Sequence, residues 1–284
     1  MSSASPALAA AVAFREELRK VPAFLRRDFL LAWSYKVAFF SDILNMVFQL
    51  ALFYFVGRLV DPSRLPTFHG TRATYVEFVT VGIALSSLLQ LGLGRGVASL
   101  RDEQLMGTLE PLLMTPTAPI TLQLGSLTYD LLYVPIRTVL FLLLAAIVLH
   151  AHFAVAGLAP TVAILLVFIP FVWGLGLLSA AAVVVFRRGS SLVGVAAIVL
   201  SSGSSAYFPI AVFPGGLRLL AGLNPVTVAL DATRTALLGG GGLSTAVPAL
   251  LALAPIGVIS FVGGAAALRL ALARERRKGS LGLY

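Results

Sequence analysis

The chain has 284 residues, of which 58% are hydrophobic and only 12% are charged, and its formal net charge is +9. Soluble domains contain roughly 45–50% apolar residues. The composition, with a mean hydropathy of +0.95, therefore excludes a soluble globular protein and predicts an integral membrane protein. The absence of cysteine excludes disulfides and thiolate metal sites. Basic residues accumulate in the cytoplasmic loops of membrane proteins, so we expect no nucleic-acid partner.

Residues 14–33, before the first long apolar run, combine an apolar stripe with basic side chains. Phe14, Leu18, Val21 and Leu25 recur at steps of three and four residues, which is the spacing of one helical face. Arginine and lysine side chains fall mostly between them. The pattern predicts an amphipathic helix lying in the membrane interface, since a solvated basic tail would leave the stripe unexplained.

Six apolar runs predict an all-α polytopic membrane protein, in which residues 1–284 form a single transmembrane domain. The predicted transmembrane helices cover residues 36–60, 75–97, 122–149, 155–186, 190–208 and 245–272. The first carries Asp42, Asn45 and Gln49 on one face, which we expect to face the interior of the bundle. The fifth is dense in small residues, which let helix backbones approach closely, so we expect it to be the most tightly packed.

Two segments between the predicted spans differ from ordinary loops. Residues 209–242 contain several prolines and four consecutive glycines among apolar residues, which predicts a re-entrant segment of short helices. Residues 99–116 are charged, and Glu103, Gly107 and Glu110 fall on one face of a helix whose opposite face is rich in leucine. A two-faced polar helix in so apolar a chain predicts contact with a soluble partner.

The distribution of basic residues predicts the orientation in the membrane. With the N-terminus inside, 15 of the 21 Lys and Arg residues lie on the cytoplasmic side and five on the outer side, while Arg137 lies within a span. We therefore expect both termini and residues 99–116 in the cytoplasm, and residues 209–242 on the outer face. The expected location is the cytoplasmic membrane of a prokaryotic cell.

The charged segment resembles the coupling segment of ABC-2 type ABC transporter permeases. The shared pattern is Glu-x-x-x-Gly-Thr-Leu-Glu-x-Leu-Leu-x-Thr-Pro, formed here by Glu103, Gly107, Thr108, Leu109, Glu110, Leu112, Leu113, Thr115 and Pro116. Pro111 departs from the family pattern and would kink or end the helix just after Glu110. The resemblance predicts a cytoplasmic coupling helix between the second and third spans.

Two further segments are similar to the same family. Phe213-Pro214-Gly215, Asn224-Pro225, Ala229-Leu230-Asp231-Ala232 and Arg234 resemble its re-entrant outer segment. Tyr75, Phe78 and Gly82-Ile83 resemble, more weakly, the start of its second span. The three matches occur in the family's order along the chain.

The resemblance implies the membrane subunit of an ATP-driven exporter, which moves an amphipathic or hydrophobic substrate such as a drug, a lipid or a lipid-linked glycan outward by alternating access. It also implies a separate nucleotide-binding ATPase chain that holds Mg-ATP, a second permease copy, identical or related, and surrounding membrane lipid. This chain itself would be neither an enzyme nor a cofactor protein. The sequence has no G-x-x-x-x-G-K-[ST] phosphate loop, in agreement with this division. The resemblance also implies that Glu103, Gly107, Thr108 and Glu110 couple this chain to the ATPase.

Six residues are candidates for a substrate path or gate. Asp130 and Arg137 share a face of the third span, where they would form an ion pair or line a polar path. Glu77, near the outer end of the second span, would be solvated or contact a gate. Three aromatic residues flank the re-entrant segment and would form an outer hydrophobic gate or an interfacial belt: Tyr207, Phe208 and Phe213. The sequence predicts no metal site.

Two other functional classes stay open at the level of the sequence. An ion-coupled secondary transporter or channel would carry carboxylates in mid-span and a repeat between its halves, and only Asp130 and Asp42 fit the first requirement. A membrane anchor that recruits an ATPase without transport would share the coupling segment. A transport assay separates this last class from a transporter.

Overall fold

The computed structural model describes five stretches of the chain and a few isolated positions: residues 36–61, 65–68, 70–105, 137–186 and 189–278, with residues 22, 26, 29, 30 and 133. The predicted interfacial helix therefore lies almost wholly outside the described residues. The same holds for the second part of the coupling segment and the first part of the third predicted span.

The described stretches are almost entirely helical. They contain eight α-helices: α1 Lys36–Gly57, α2 Tyr75–Leu105, α3 Arg137–Leu149, α4 Leu158–Val185, α5 Gly189–Ser202, α6 Gly215–Leu223, α7 Pro225–Gly239 and α8 Leu243–Lys278. Short 3-10 turns, Val155–Gly157 and Ile210–Val212, precede α4 and α6. Thr67–Phe68 and Thr71–Arg72 pair as a small antiparallel hairpin. The predicted all-α membrane architecture is confirmed.

Each predicted span contains one of these helices, but the helices differ in apolar length. Among the described residues, three segments are long and apolar enough to cross a membrane: Tyr75–Gly94, Val155–Val185 and Leu243–Glu275. At the other three spans the described residues contain apolar helical segments of 10–17 residues: Ile43–Gly57, Arg137–Leu149 and Gly189–Ser202. A count of six spans therefore stays a prediction.

The apolar core lies where α2, α4, α5, α7 and α8 meet. Leu89, Ile164, Phe168, Leu230 and Leu253 contribute side chains that are almost completely buried there. A second cluster packs α1 against α2 and α3. A third joins the far ends of α4 and α8, so these two helices pack along most of their length.

Three connections meet at one end of the helices, which we call the loop end: residues 65–74, 150–157 and 239–242. The N–H of Ala154 donates to the carbonyl of Leu237 at 2.7 Å, which ties the α3–α4 connection to the last turn of α7. Phe68 of the hairpin packs with Phe78 and Leu238. In the predicted topology these are the first, third and fifth connections, which must lie on one side of the membrane.

Two packing predictions are wrong within this chain. The fifth span is not the most tightly packed, because most of α5 is exposed, and a Cβ at Gly194 would meet nothing within 4 Å. Asn45 is exposed as well, while Met46 and Leu50 form the buried face of α1. Both helices lie at the edge of the bundle, where a helix has neighbours on one side only. Asn45 of α1 and Ser191, Gly194 and Ala196 of α5 face outward from it.

Candidate functional site

The first turn of α2 is held by a reciprocal capping box. The hydroxyl of Thr74 accepts the N–H of Glu77 at 3.3 Å, and Oε2 of Glu77 accepts the N–H of Thr74 at 2.8 Å. The second carboxylate oxygen, Oε1, accepts the N–H of His152 at 2.8 Å. Glu77 is 7% exposed, so it is not solvated, contrary to one of the two expectations for it. Its carboxylate joins the start of α2 to the α3–α4 connection.

The Asn224-Pro225 pair begins α7 and fastens it to α5. The side-chain oxygen of Asn224 accepts the N–H of Val226 at 3.0 Å, which makes Asn224 the N-cap. Pro225 occupies the first helical position, where a backbone N–H would have no partner within the helix. The side-chain amide of Asn224 donates to the carbonyl of Leu200 at 2.9 Å. The beginning of α7 is therefore fixed to the end of α5.

Arg234, in the third turn of α7, is fully buried and donates to three residues in two other segments. Its Nε and Nη2 lie 3.1 and 3.0 Å from the carbonyl oxygen of Phe78 in α2. Nη2 also donates to the carbonyl of Ala206 at 3.1 Å, and Nη1 to the hydroxyl of Ser205 at 2.9 Å. A buried guanidinium is costly unless it is paired and hydrogen-bonded, and these acceptors meet that need.

The charge of Arg234 has two further partners. Oδ1 of Asp231, one turn earlier in α7, lies 3.6 Å from Nη1 and also accepts the hydroxyl of Ser205 at 3.1 Å. The guanidinium carbon lies 3.5 Å from the centroid of the Phe78 ring, within the range of a cation–π interaction. The Asp231 side chain is 50% exposed, so the ion pair runs from a buried cation to a partly exposed anion.

Gly82 lets α2 approach this group of residues. A Cβ at Gly82 would overlap the carbonyl of Ala206 and lie 2.9 Å from Nη2 of Arg234. A larger residue would therefore push apart α2 and the segment after α5. We call the residues Phe78, Gly82, Ser205, Ala206, Asp231 and Arg234 the Arg234 junction.

The junction brings together two segments that are more than a hundred residues apart in the chain. The segment that begins at Tyr75 contributes Phe78 and Gly82, and α7 contributes Asp231 and Arg234. In the sequence these four residues stand out as parts of family motifs and not as a site. The signal in the sequence is the pair of Asp231 and Arg234 in an otherwise uncharged helix, since ionisable residues within a membrane segment indicate a functional site by default.

Of the predicted coupling residues, Glu103 lies within the described part of the chain. It is in the last helical turn of α2, and nothing is described of its side chain. Gly107, Thr108 and Glu110 lie outside the described residues, as does Asp130 of the path candidates. Their roles stay predictions.

The remaining path candidates lie on α3 and on the connection between α5 and α6. Arg137 is half-buried at the start of the described part of α3. Tyr207 stacks on Phe53 of α1, with ring centroids 5.9 Å apart and an interplanar angle of 17°. Phe208 is about half exposed, and Phe213 ends the 3-10 turn before α6. Tyr207 therefore packs on α1, and a gate made of the three aromatic residues stays a prediction.

One protein-family model matches the part of the chain that contains these residues. The family model described as ABC-2 type transporter matches residues 19–238, which is more than three quarters of the chain. The chain belongs to the ABC-2 type transporter family. It is therefore the membrane subunit of an ABC transporter, a transport protein that is not itself catalytic. ABC-2 permeases normally dimerise and work with an ATPase subunit. No curated protein matches this permease significantly.

Proposed function

We propose that this ABC-2 permease exports an amphipathic or hydrophobic substrate, driven by ATP that is hydrolysed on a separate nucleotide-binding subunit. The family match supports transport. The observation that supports coupling is the length of α2, which continues without a break from Tyr75 to Leu105. Its last residues are the first part of the predicted coupling segment, so no loop separates that segment from the second span.

The length of α2 exceeds what the membrane requires. At 1.5 Å per residue its 31 residues extend about 46 Å, whereas the hydrocarbon core of a bilayer is about 30 Å thick. The apolar part of the helix ends at Gly94, and the residues beyond it carry four charged side chains: Arg95, Arg101, Asp102 and Glu103. In the proposed mechanism this end projects into the cytoplasm and meets the ATPase. A helix transmits displacement along its axis better than a flexible loop does.

The exposed faces of α1 and α5 support a second permease copy as the partner within the membrane. Asn45 is exposed on α1, and polar side chains within membrane spans face protein or a water-filled cavity rather than lipid. The open surface at Gly194 on α5 would let a neighbouring helix backbone approach closely. We propose that these faces turn toward the second copy.

The chemistry of the interior supports an apolar substrate over an ion. A cleft between α2, α3, α4 and α7 is lined, among the described residues, by aliphatic side chains and threonines, such as Leu85, Leu142, Leu165, Thr161 and Thr233. None of these carries a charge. We propose the outward direction of transport from the family resemblance. We also propose that Tyr207, Phe208 and Phe213 form an outer gate.

The coupling proposal is tested with Glu103→Ala and Gly107→Trp in the complex of permease and ATPase. The ATPase for this experiment is chosen as a nucleotide-binding subunit that is encoded beside this gene or that co-purifies with the chain. We expect each substitution to lower ATPase assembly, or ATP-driven transport, by about tenfold, the effect of losing roughly 1.4 kcal/mol of interaction. Assembly is measured by co-purification, and transport by movement of a fluorescent phospholipid in proteoliposomes.

Arg277→Ala is the matched control for this test. Arg277 is an exposed residue near the C-terminal end of α8, on the side of the membrane that is predicted to face the ATPase. Its removal changes charge there without touching α2, so assembly and transport should stay close to those of the native complex. If Glu103→Ala and Gly107→Trp leave both quantities at native levels, the coupling role is wrong.

A further inference from the structure

Arg234 joins α7 to α2 with contacts that a small sliding of one helix would break. Nε and Nη2 both reach the single carbonyl of Phe78, and the Phe78 ring covers the face of the same guanidinium. In the segment after α5, the hydroxyl of Ser205 and the carbonyl of Ala206 accept two further hydrogen bonds from the guanidinium. Sliding α7 along α2 would leave a buried cation without these partners, which is far more costly than losing neutral contacts.

The absence of a side chain at Gly82 makes this contact backbone to backbone. The carbonyl of Ala206 lies against the surface of α2 where a side chain would otherwise stand. Side chains can change rotamer to follow a moving neighbour, whereas helix backbones in direct contact move together or separate. The contact at Gly82 therefore adds a steric constraint to the polar bonds of Arg234.

The Arg234 junction lies near the first end of α2, and the predicted coupling segment lies near the other end. Phe78 and Gly82 lie in the first quarter of α2, and the predicted coupling segment begins in its last turns. The same continuous helix thus contacts the re-entrant α7 near one end and carries the predicted ATPase contact at the other. The start of α7 is held separately, by Asn224 on α5.

We propose that Arg234 is a positioning residue that makes α7 move with α2, so that a displacement of the cytoplasmic end of α2 reaches the re-entrant segment. The proposal rests on the proposed function, since it requires an ATPase that displaces α2. Asp231 and Ser205 support the guanidinium, and Gly82 allows the approach. Arg234 has no contact with substrate in this role.

The experiment measures the distance between two spin labels in the complex of permease and ATPase. The chain has no cysteine, so Leu270→Cys and Leu223→Cys create a unique labelling pair. Both side chains are strongly exposed; Leu270 lies in the part of α8 that packs with the far end of α4, and Leu223 ends α6, directly before the cap of α7. Pulsed electron resonance compares the nucleotide-free complex with the complex trapped by ATP and vanadate.

In the native background we expect the label distance to shift on trapping. Arg234→Met should abolish the shift, and Arg234→Lys should restore only part of it, because an ammonium group cannot bond Phe78, Ser205 and Ala206 in the guanidinium geometry. Vanadate-trapped nucleotide should be retained in both variants. A purely structural role would instead lower the amount of folded complex and leave the shift of the remaining complex unchanged.

Arg218→Met is the matched control. Arg218 lies in the same outer segment, is exposed, and donates to the carbonyls of Ala211 and Phe213 without reaching α2. Its loss should leave the shift intact. If Arg234→Met fails to fold, Ser205→Ala replaces it, since that change removes the Nη1 bond and keeps both carbonyl acceptors, and it should reduce the shift.

Two results overturn the proposal, and they differ in meaning. A full shift in folded Arg234→Met, or in Ser205→Ala where that variant replaces it, shows that α7 follows α2 without the junction, while the proposed function stands. If the native complex hydrolyses ATP but shows no shift, the coupling mechanism of the proposed function is wrong. The proposed role of Arg234 is then wrong as well.

Discussion

Glu77 illustrates how one side chain at the loop end stabilises several segments. Its two carboxylate oxygens accept the N–H groups of Thr74 and His152, and it is almost fully buried. Removing the carboxylate leaves two backbone donors without their partner, at a cost of about 2–3 kcal/mol. We expect Glu77→Ala to lower the midpoint of thermal unfolding in detergent by several degrees.

His152→Ala separates this backbone contact from a histidine side-chain effect. The bond to Glu77 uses the backbone N–H of His152, and its imidazole is 93% exposed. The alanine variant should therefore unfold within about 0.5 kcal/mol of the native protein, as most surface substitutions do. If His152→Ala destabilises the protein as much as Glu77→Ala does, the assigned contact is wrong.

The sequence could predict some of these single-residue roles and not others. Asn224-Pro225 is a local signal, because a cap and the first helical residue interact within a few positions, and α7 begins there in the structure. Arg234 differs, since its acceptors Phe78 and Ser205 lie 156 and 29 residues away. Only the folded chain shows which backbone carbonyls receive its donors.

The contact between α4 and α8 depends on two glycines, and it provides a test of helix packing. A Cβ at Gly264 would overlap the backbone of Gly174, and a Cβ at Gly174 would overlap that of Ser260. The hydroxyl of Ser260 donates across the same contact to the carbonyl of Phe171 at 3.1 Å. We expect Gly264→Ala to cost about 1–3 kcal/mol of unfolding free energy through overpacking.

The neighbouring residue in α8 is the matched control for Gly264→Ala. A Cβ at Gly263 would meet nothing within 4 Å. Because alanine favours helix over glycine, Gly263→Ala should stabilise the protein by about 0.5–1 kcal/mol. Denaturation in mild detergent measures both variants, and equal effects at the two positions would contradict the close approach of α4 and α8.

The boundaries of α2 and the exposure of α5 show where patterns in sequence become ambiguous. The predicted second span ends at residue 97 because charges follow, yet the helix continues to Leu105. Charged residues such as arginine and glutamate are good helix formers, so a change of solvent need not end a helix. The small residues of α5 predicted close packing, but most of the helix is exposed, and the sequence does not say whether a partner helix would belong to the same chain.

The family and the broad architecture could be predicted for the molecule as a whole. Composition and apolar runs predicted a helical membrane protein, and the motif of Glu103 to Pro116 predicted the family that the comparison confirms. The meeting of the three connections at the loop end agrees with the predicted alternation of spans. The cytoplasmic orientation, the substrate and the direction of transport stay predictions, because they depend on the membrane and on partner chains.

Transport in proteoliposomes that contain the permease and its ATPase tests the proposed function most directly. We expect a fluorescent phospholipid or a lipophilic dye to move across the membrane only with Mg-ATP, to stop with vanadate, and to be unaffected by ionophores that collapse ion gradients. Movement that follows an ion gradient without ATP would contradict ATP-driven transport and favour a secondary transporter. An assembled complex that hydrolyses ATP but moves no amphipathic probe would contradict the proposed substrate class and favour a membrane anchor.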